Sequence, residues 1–149
     1  MAEPTYFIPR KWRPPPGFEV LDGYVRVKGA YFHYEDAIEF INRSDGWLQL
    51  QADPGNVHDK NAIKVLACYK GMLFTKRRLI GYVPSEIAAG IAISGLLPEL
   101  RLQLTQTHDQ GNEHVKVVFK LIGPAQDVIE AVKRIRRTRR AKRAAAQSQ

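Results

Sequence analysis

Four polar side chains, Asn56, His58, Asp59 and Asn61, crowd into six residues of the run Asp53-Pro54-Gly55-Asn56-Val57-His58-Asp59-Lys60-Asn61-Ala62-Ile63-Lys64-Val65. That is more polar function than a plain connection into a strand requires. A carboxylate such as Asp59 accepts a hydrogen bond from a hydroxyl and repels a phosphate, so one residue can welcome a free hydroxyl end and reject a phosphorylated one. The imidazole of His58 offers a planar face on which a base can stack. The same run also reads as a self-supporting turn, with Asp59 and Asn61 bonded to nearby backbone and Gly55 relieving strain. Fifteen residues beyond Val65 comes Ile80-Gly81-Tyr82-Val83-Pro84, which brings a second aromatic ring.

No catalytic constellation accompanies these residues. His33, His58, His108 and His114 show no HxxH or HExxH spacing, and Cys68 is the only cysteine, so no zinc site is expected. No phosphate-cradling glycine loop is present, and nothing marks a nucleophile–base pair. The chain therefore reads as non-catalytic, without metal or cofactor. Cys68 follows Ile63, Val65 and Ala67 in an apolar strand and is expected to be a small buried hydrophobe. No window approaches the roughly 18 apolar residues of a membrane span, and Arg10, Lys11 and Arg13 precede no apolar block. With one cysteine and no leader, the expected location is cytoplasmic, at the nucleoid in a bacterium.

The cations are distributed unevenly. Lys133, Arg134, Arg136, Arg137, Arg139, Arg140, Lys142 and Arg143 form one block without an acid. The chain carries 23 Lys and Arg against 15 Asp and Glu, so removing these eight leaves 15 against 15. The net charge of +8 thus sits in one terminal segment. A block of this density repels itself and seeks a polyanion, DNA or RNA. A smaller cluster, Lys76, Arg77 and Arg78, ends the stretch Tyr69–Arg78, which reads as a long solvated loop or a phosphate clamp.

These groups need a scaffold. Residues 1–22 hold Pro14-Pro15-Pro16 among Phe7, Ile8, Trp12 and Phe18 and read as an extended arm. Strand patterns follow at Gly23–Tyr34, Trp47–Gln51, Asn61–Cys68, Arg78–Val83, Glu99–Thr105 and Val115–Leu121. His108-Asp109-Gln110-Gly111-Asn112 reads as the hairpin turn between the last two. Helical stripes occupy Pro84–Ser94 and the segment from Pro124, where Val128, Ile129, Val132 and Ile135 share a face. The stripe ends at Ile135, so three turns are expected to dock and Arg136 onward to project. Glu35–Arg43 is a weaker, third helical pattern. The expected fold is mostly β (α+β): a six-stranded barrel over residues 23–123, with two helices, the C-terminal one (124–149) extended and basic. Closure would remove exposed strand edges.

The runs Gly29-Ala30-Tyr31-Phe32-His33-Tyr34, Asp53–Val65 and Ile80–Pro84 together resemble the signature of the HIRAN domain family, over roughly Val25 to Leu121. The resemblance implies a small barrel similar in shape to oligonucleotide-binding folds that grips the free 3′ end of a single DNA strand. It implies that Asp59 accepts a bond from the terminal hydroxyl, that His58 and Tyr31 pack on bases, and that Asn56 and Tyr82 belong to the same surface. DNA-binding members commonly carry tyrosine where this chain has His58, a basic residue where it has Ala30, and lysine where it has Ser85. Larger relatives fuse the domain to helicase or nuclease modules, so this chain is expected to recruit or position such an enzyme in DNA repair or replication. Two other readings stay open: a protein–protein module in a nucleoprotein complex whose tail touches DNA or RNA without specificity, and a tail that is itself the functional part.

Overall fold

The alternating runs do become strands, but they pair as two antiparallel sheets of three. A computed structural model describes residue 14 and residues 16–43 and 45–147. In chain order these form β1 (Phe18–Arg26), a 3-10 turn (Ala30–His33), α1 (Tyr34–Ile41), β2 (Trp47–Ala52), β3 (Ile63–Lys70), β4 (Thr75–Tyr82), α2 (Ser85–Ser94), β5 (Arg101–Gly111), β6 (His114–Pro124) and α3 (Ala125–Gln147). One sheet has the order β1-β6-β5, the other β2-β3-β4. Val117, Phe119 and Leu121 of β6, Val65 and Ala67 of β3, and Ile80 of β4 are fully buried in one shared core.

The sheets meet at one bridge, where the backbones of Lys28 and Tyr82 exchange hydrogen bonds of 2.8 Å in both directions. Gly81 makes this crossing possible. A Cβ there would collide with the carbonyl oxygen of Lys28 and the side chain of Val27. Among the described residues the ladder does not close further, so the six expected strands form two sheets with three helices rather than a demonstrated barrel.

Three local expectations are corrected. Gly23–Tyr34 is not one strand: β1 starts earlier, at Phe18 within the proline-rich stretch, and ends at Arg26. Gly29 then takes a left-handed conformation (φ 75°), and Tyr31 lies on the 3-10 turn that leads into α1. The β-propensity of the aromatics loses to helical burial of Ala30, Ala37 and Phe40. Tyr69–Arg78 is not a long loop. β3 and β4 pair to the tip, Tyr69 opposite Lys76, and the Gly71 amide donates to the Phe74 carbonyl at 2.9 Å. The cations fit there because β4 is an edge strand with one side open to water. The β5–β6 turn lies later than expected, at Asn112-Glu113, both with positive φ (51° and 63°). Such a two-residue turn follows the right-handed twist of its strands.

Helices α2 and α3 pack antiparallel. Val128, Ala131 and Ile135 bury against Ile87, Ala88 and Ile91, and Gly90 lets the axes approach: a Cβ there would lie 2.5 Å from Ile135 Cγ1. Among the described residues no helix is long and apolar enough to cross a membrane.

Candidate nucleic-acid interface

The polar turn between β2 and β3 is built mostly from its own side chains. Asn56 Oδ1 accepts from the amides of His58 (2.9 Å) and Asp59 (3.1 Å), and Asp59 Oδ1 accepts from the Asn61 amide at 2.9 Å. Asp53 closes the base of the loop, its amide donating to Ala62 O at 2.8 Å. Asp53 Oδ2 also accepts from Asn56 Nδ2 (3.3 Å) and the Tyr82 hydroxyl (3.4 Å). So the Asn56 side chain holds the turn together, while Asn61 contributes its backbone amide. Asp59 spends one carboxylate oxygen on the turn, and Tyr82 anchors the loop through its hydroxyl.

The two sequence blocks come together as the walls of a cleft of about 420 Å³, lined by Lys28, Asn56, Asp59, Tyr82, Pro84, Ser85 and Glu86 among others. Lys28, which pattern reading passed over, enters because its backbone forms the bridge to Tyr82. It is an exposed cation opposite the half-buried carboxylate of Asp59. His58 is exposed on the same turn but does not line the cleft.

Beyond Lys28 lies an exposed aromatic group. Tyr31, about half exposed (49%), stacks at a tilt on His114, with ring centres 5.5 Å apart, and meets Phe32 edge-on at 5.6 Å. Arg26 and Lys28 share a hollow with Tyr31 and His114, and the Lys116 ammonium lies 5.6 Å from the exposed Tyr24 ring. Phe32 belongs to the aromatic run that carries the resemblance, whereas His114 is not among the expected site residues and arrives through the β5–β6 hairpin. Tyr34 ties the 3-10 turn to that hairpin by donating to Asp109 at 3.1 Å, and burial together with that carboxylate raises its hydroxyl pKa above the ordinary value.

Lys76, Arg77 and Arg78 stand apart from the cleft. Arg78 is four residues from Tyr82 along β4, about 13 Å at 3.3 Å per residue. Arg77 also donates to buried Gln49 at 3.1 Å, so part of its role is structural. Between them and β3 the turn exposes Met72, Leu73 and Phe74 almost completely.

The basic segment is helical as expected, and burial does end at Ile135. Contact does not end there. Lys142 Nζ donates to Ser85 Oγ at 2.6 Å and lies 3.6 Å from Glu86 Oε2, while Ser85 Oγ donates to Glu86 at 3.3 Å. The Glu86 carboxyl is held below its ordinary range by its own backbone amide, then by Lys142, Ser85 and Arg139. The projecting tail is therefore tethered two turns beyond Ile135. Lys133, Arg136, Arg137, Arg139, Arg140 and Arg143 are exposed along it, and Arg134 is half-buried beside Ser94.

With this geometry, what the site can do is bind. It offers a carboxylate acceptor, flanking cations and open rings. Among the described residues no three His, Cys, Asp or Glu side chains gather to hold a metal ion. No curated protein matches the chain. The crystal structure of the HIRAN domain of human HLTF is similar in fold, with a TM-score of 0.50 and 19% identity over 81% of this chain and 92% of that one. The HIRAN domain family model matches residues 22–125, from within β1 to the first residue of α3, both walls of the cleft included. Spanning well over half of the sequence, that match makes the chain a member of the HIRAN domain family.

Proposed function

We propose that this chain binds single-stranded or frayed DNA at a free 3′-hydroxyl end and positions a separate enzyme, such as a helicase or nuclease, there during repair or replication. HIRAN domains are known for DNA binding, which supports a nucleic-acid-binding module. The observation that carries the finer reading is the cleft itself: Asp59 faces a pocket whose far side, Lys28, leads to the open rings of Tyr31, Phe32 and His114. In this reading Asp59 accepts from the terminal hydroxyl, Lys28 meets a phosphate, and the preceding bases lie on His58 and Tyr31.

Tyr31→Ala is expected to weaken binding of a short 3′-OH oligonucleotide by roughly 5- to 150-fold, the worth of one stacked base. Its melting temperature should stay near wild type, because the ring is half exposed. Lys28→Ala should weaken binding too, and reduce its salt dependence by about one phosphate contact. Unchanged affinity in both variants would remove the cleft as the DNA site.

One observation favours a second reading, a protein–protein module. Met72, Leu73 and Phe74 form an exposed apolar tip beyond Thr75, which itself lies seven residues and about 23 Å from Tyr82 along β4. Replacing all three by serine should leave oligonucleotide affinity unchanged if the tip serves a protein partner. A large loss would assign the tip to DNA.

A further inference from the structure

Helix α3 begins where the family match ends. Its composition suggests a free polycation, yet its placement is specific. The docking positions Val128, Ala131 and Ile135 recur at spacings of three and four, and the same progression reaches half-buried Thr138 and then Lys142. Because the helices run antiparallel, that register delivers Lys142 to the first turn of α2, onto Ser85 and Glu86. Both residues line the cleft. An ammonium has three donors. One goes to Ser85 Oγ at 2.6 Å, Glu86 Oε2 lies 3.6 Å away, and the side chain is still 59% exposed, which leaves donors for a ligand beside the cleft. Arg139, one turn earlier, is close enough to act on the Glu86 charge. Arg137, by contrast, lies 200° round the helix from Ile135 and faces water.

We infer that α3 borders the cleft beside Ser85 and Glu86, and that Lys142, supported by Arg139, holds a backbone phosphate of the strand seated there. This rests on the reading of the cleft as a single-strand site. It adds that one cation of the eight acts through position while outward ones such as Arg137 act only as diffuse charge. Glu86 does not cancel the site. It is a single carboxylate that fixes Lys142 in place, and Arg139 restores the local excess of positive charge.

The experiment titrates the full chain and its variants with a 5′-labelled oligothymidylate bearing a free 3′-hydroxyl, and with the same sequence circularised. Lys142→Ala should lose at least about tenfold on the linear strand, the loss of one charge-assisted contact, and about 0.7 of the salt slope. Arg137→Ala, with the same change in net charge, should lose less than about twofold. Ser85→Lys added to Lys142→Ala should recover most of the affinity, because it returns an ammonium to the same point. Gly90→Val keeps every charge but wedges Ile135 away from α2, and should bind as weakly as Lys142→Ala. Equal losses for Lys142→Ala and Arg137→Ala would overturn the inference, as would wild-type binding by Gly90→Val. Equal binding of linear and circular strands is a separate outcome: it would defeat the end-specific reading above while a Lys142-over-Arg137 difference on both strands would uphold this one.

Discussion

Gly81→Ala is expected to lower the unfolding free energy by about 3 kcal/mol and to weaken binding of a 3′-hydroxyl strand with it. The added methyl would meet the Lys28 carbonyl, a backbone atom that cannot swing aside, and the buried Val27 side chain. Relief requires parting the Lys28–Tyr82 bridge, the isolated backbone bridge between the two sheets. The same movement carries Lys28 away from Asp59 and opens the cleft. Gly55→Ala is the control, since a Cβ there meets nothing within 4 Å, and it should change stability by less than about 0.5 kcal/mol. Chemical denaturation of the two variants checks the pair. Equal midpoints would mean that the crossing is looser than the geometry indicates.

Asp59→Ala carries the largest expected effect on binding. Losing a hydrogen bond to a charged group costs about 1.5–3 kcal/mol, so affinity for a 3′-hydroxyl strand should fall by roughly 10- to 150-fold. The substitution also removes the acceptor for the Asn61 amide, which costs about 1 kcal/mol of turn stability. Asp59→Asn separates the two roles. Its amide oxygen can still accept from Asn61, but the charge is gone. It should keep wild-type stability and gain affinity for a 3′-phosphorylated strand relative to the wild type, because repulsion between the carboxylate and the phosphate has been removed. A variant equally poor toward both ends would mean that Asp59 serves the turn alone.

Much of this could be read from the residues because it is encoded locally. The Asn56–Asn61 turn and the Gly81–Pro84 run are short, punctuated by glycine and proline, and meet as expected in one cleft. Strands β2, β3 and β6 fall where the alternating runs lie, although both of their faces are largely covered, Gln49, Val118 and Ile122 included, and α2 ends at Gly95 in the left-handed conformation. What escaped depends on tertiary register. Lys28 reaches the cleft through a backbone bridge, which leaves no trace in side-chain pattern. Tyr31 sits on a helical turn because Ala37 and Phe40 need burial, a demand that lies downstream of the aromatic run. Lys142 is invisible to a search for apolar periodicity: it prolongs the docking stripe of α3 with a polar contact, and the apolar stripe stops at Ile135. A truncation at residue 133 would therefore remove the buried Ile135 together with the charge, and would report on packing as much as on electrostatics.

The central claim is that the cleft reads the chemistry of a strand end, and one titration addresses it most directly. The chain is mixed with three matched single strands, one ending in a 3′-hydroxyl, one in a 3′-phosphate and one circular, at fixed salt because a cationic helix would bind all three alike through counterion release. The account predicts tight binding of the hydroxyl end and binding of the other two that is weaker by at least about tenfold, the worth of one charge-assisted hydrogen bond. Equal affinity for all three strands would contradict it: the cleft would then have no part in recognising ends, and the cations alone would account for the affinity.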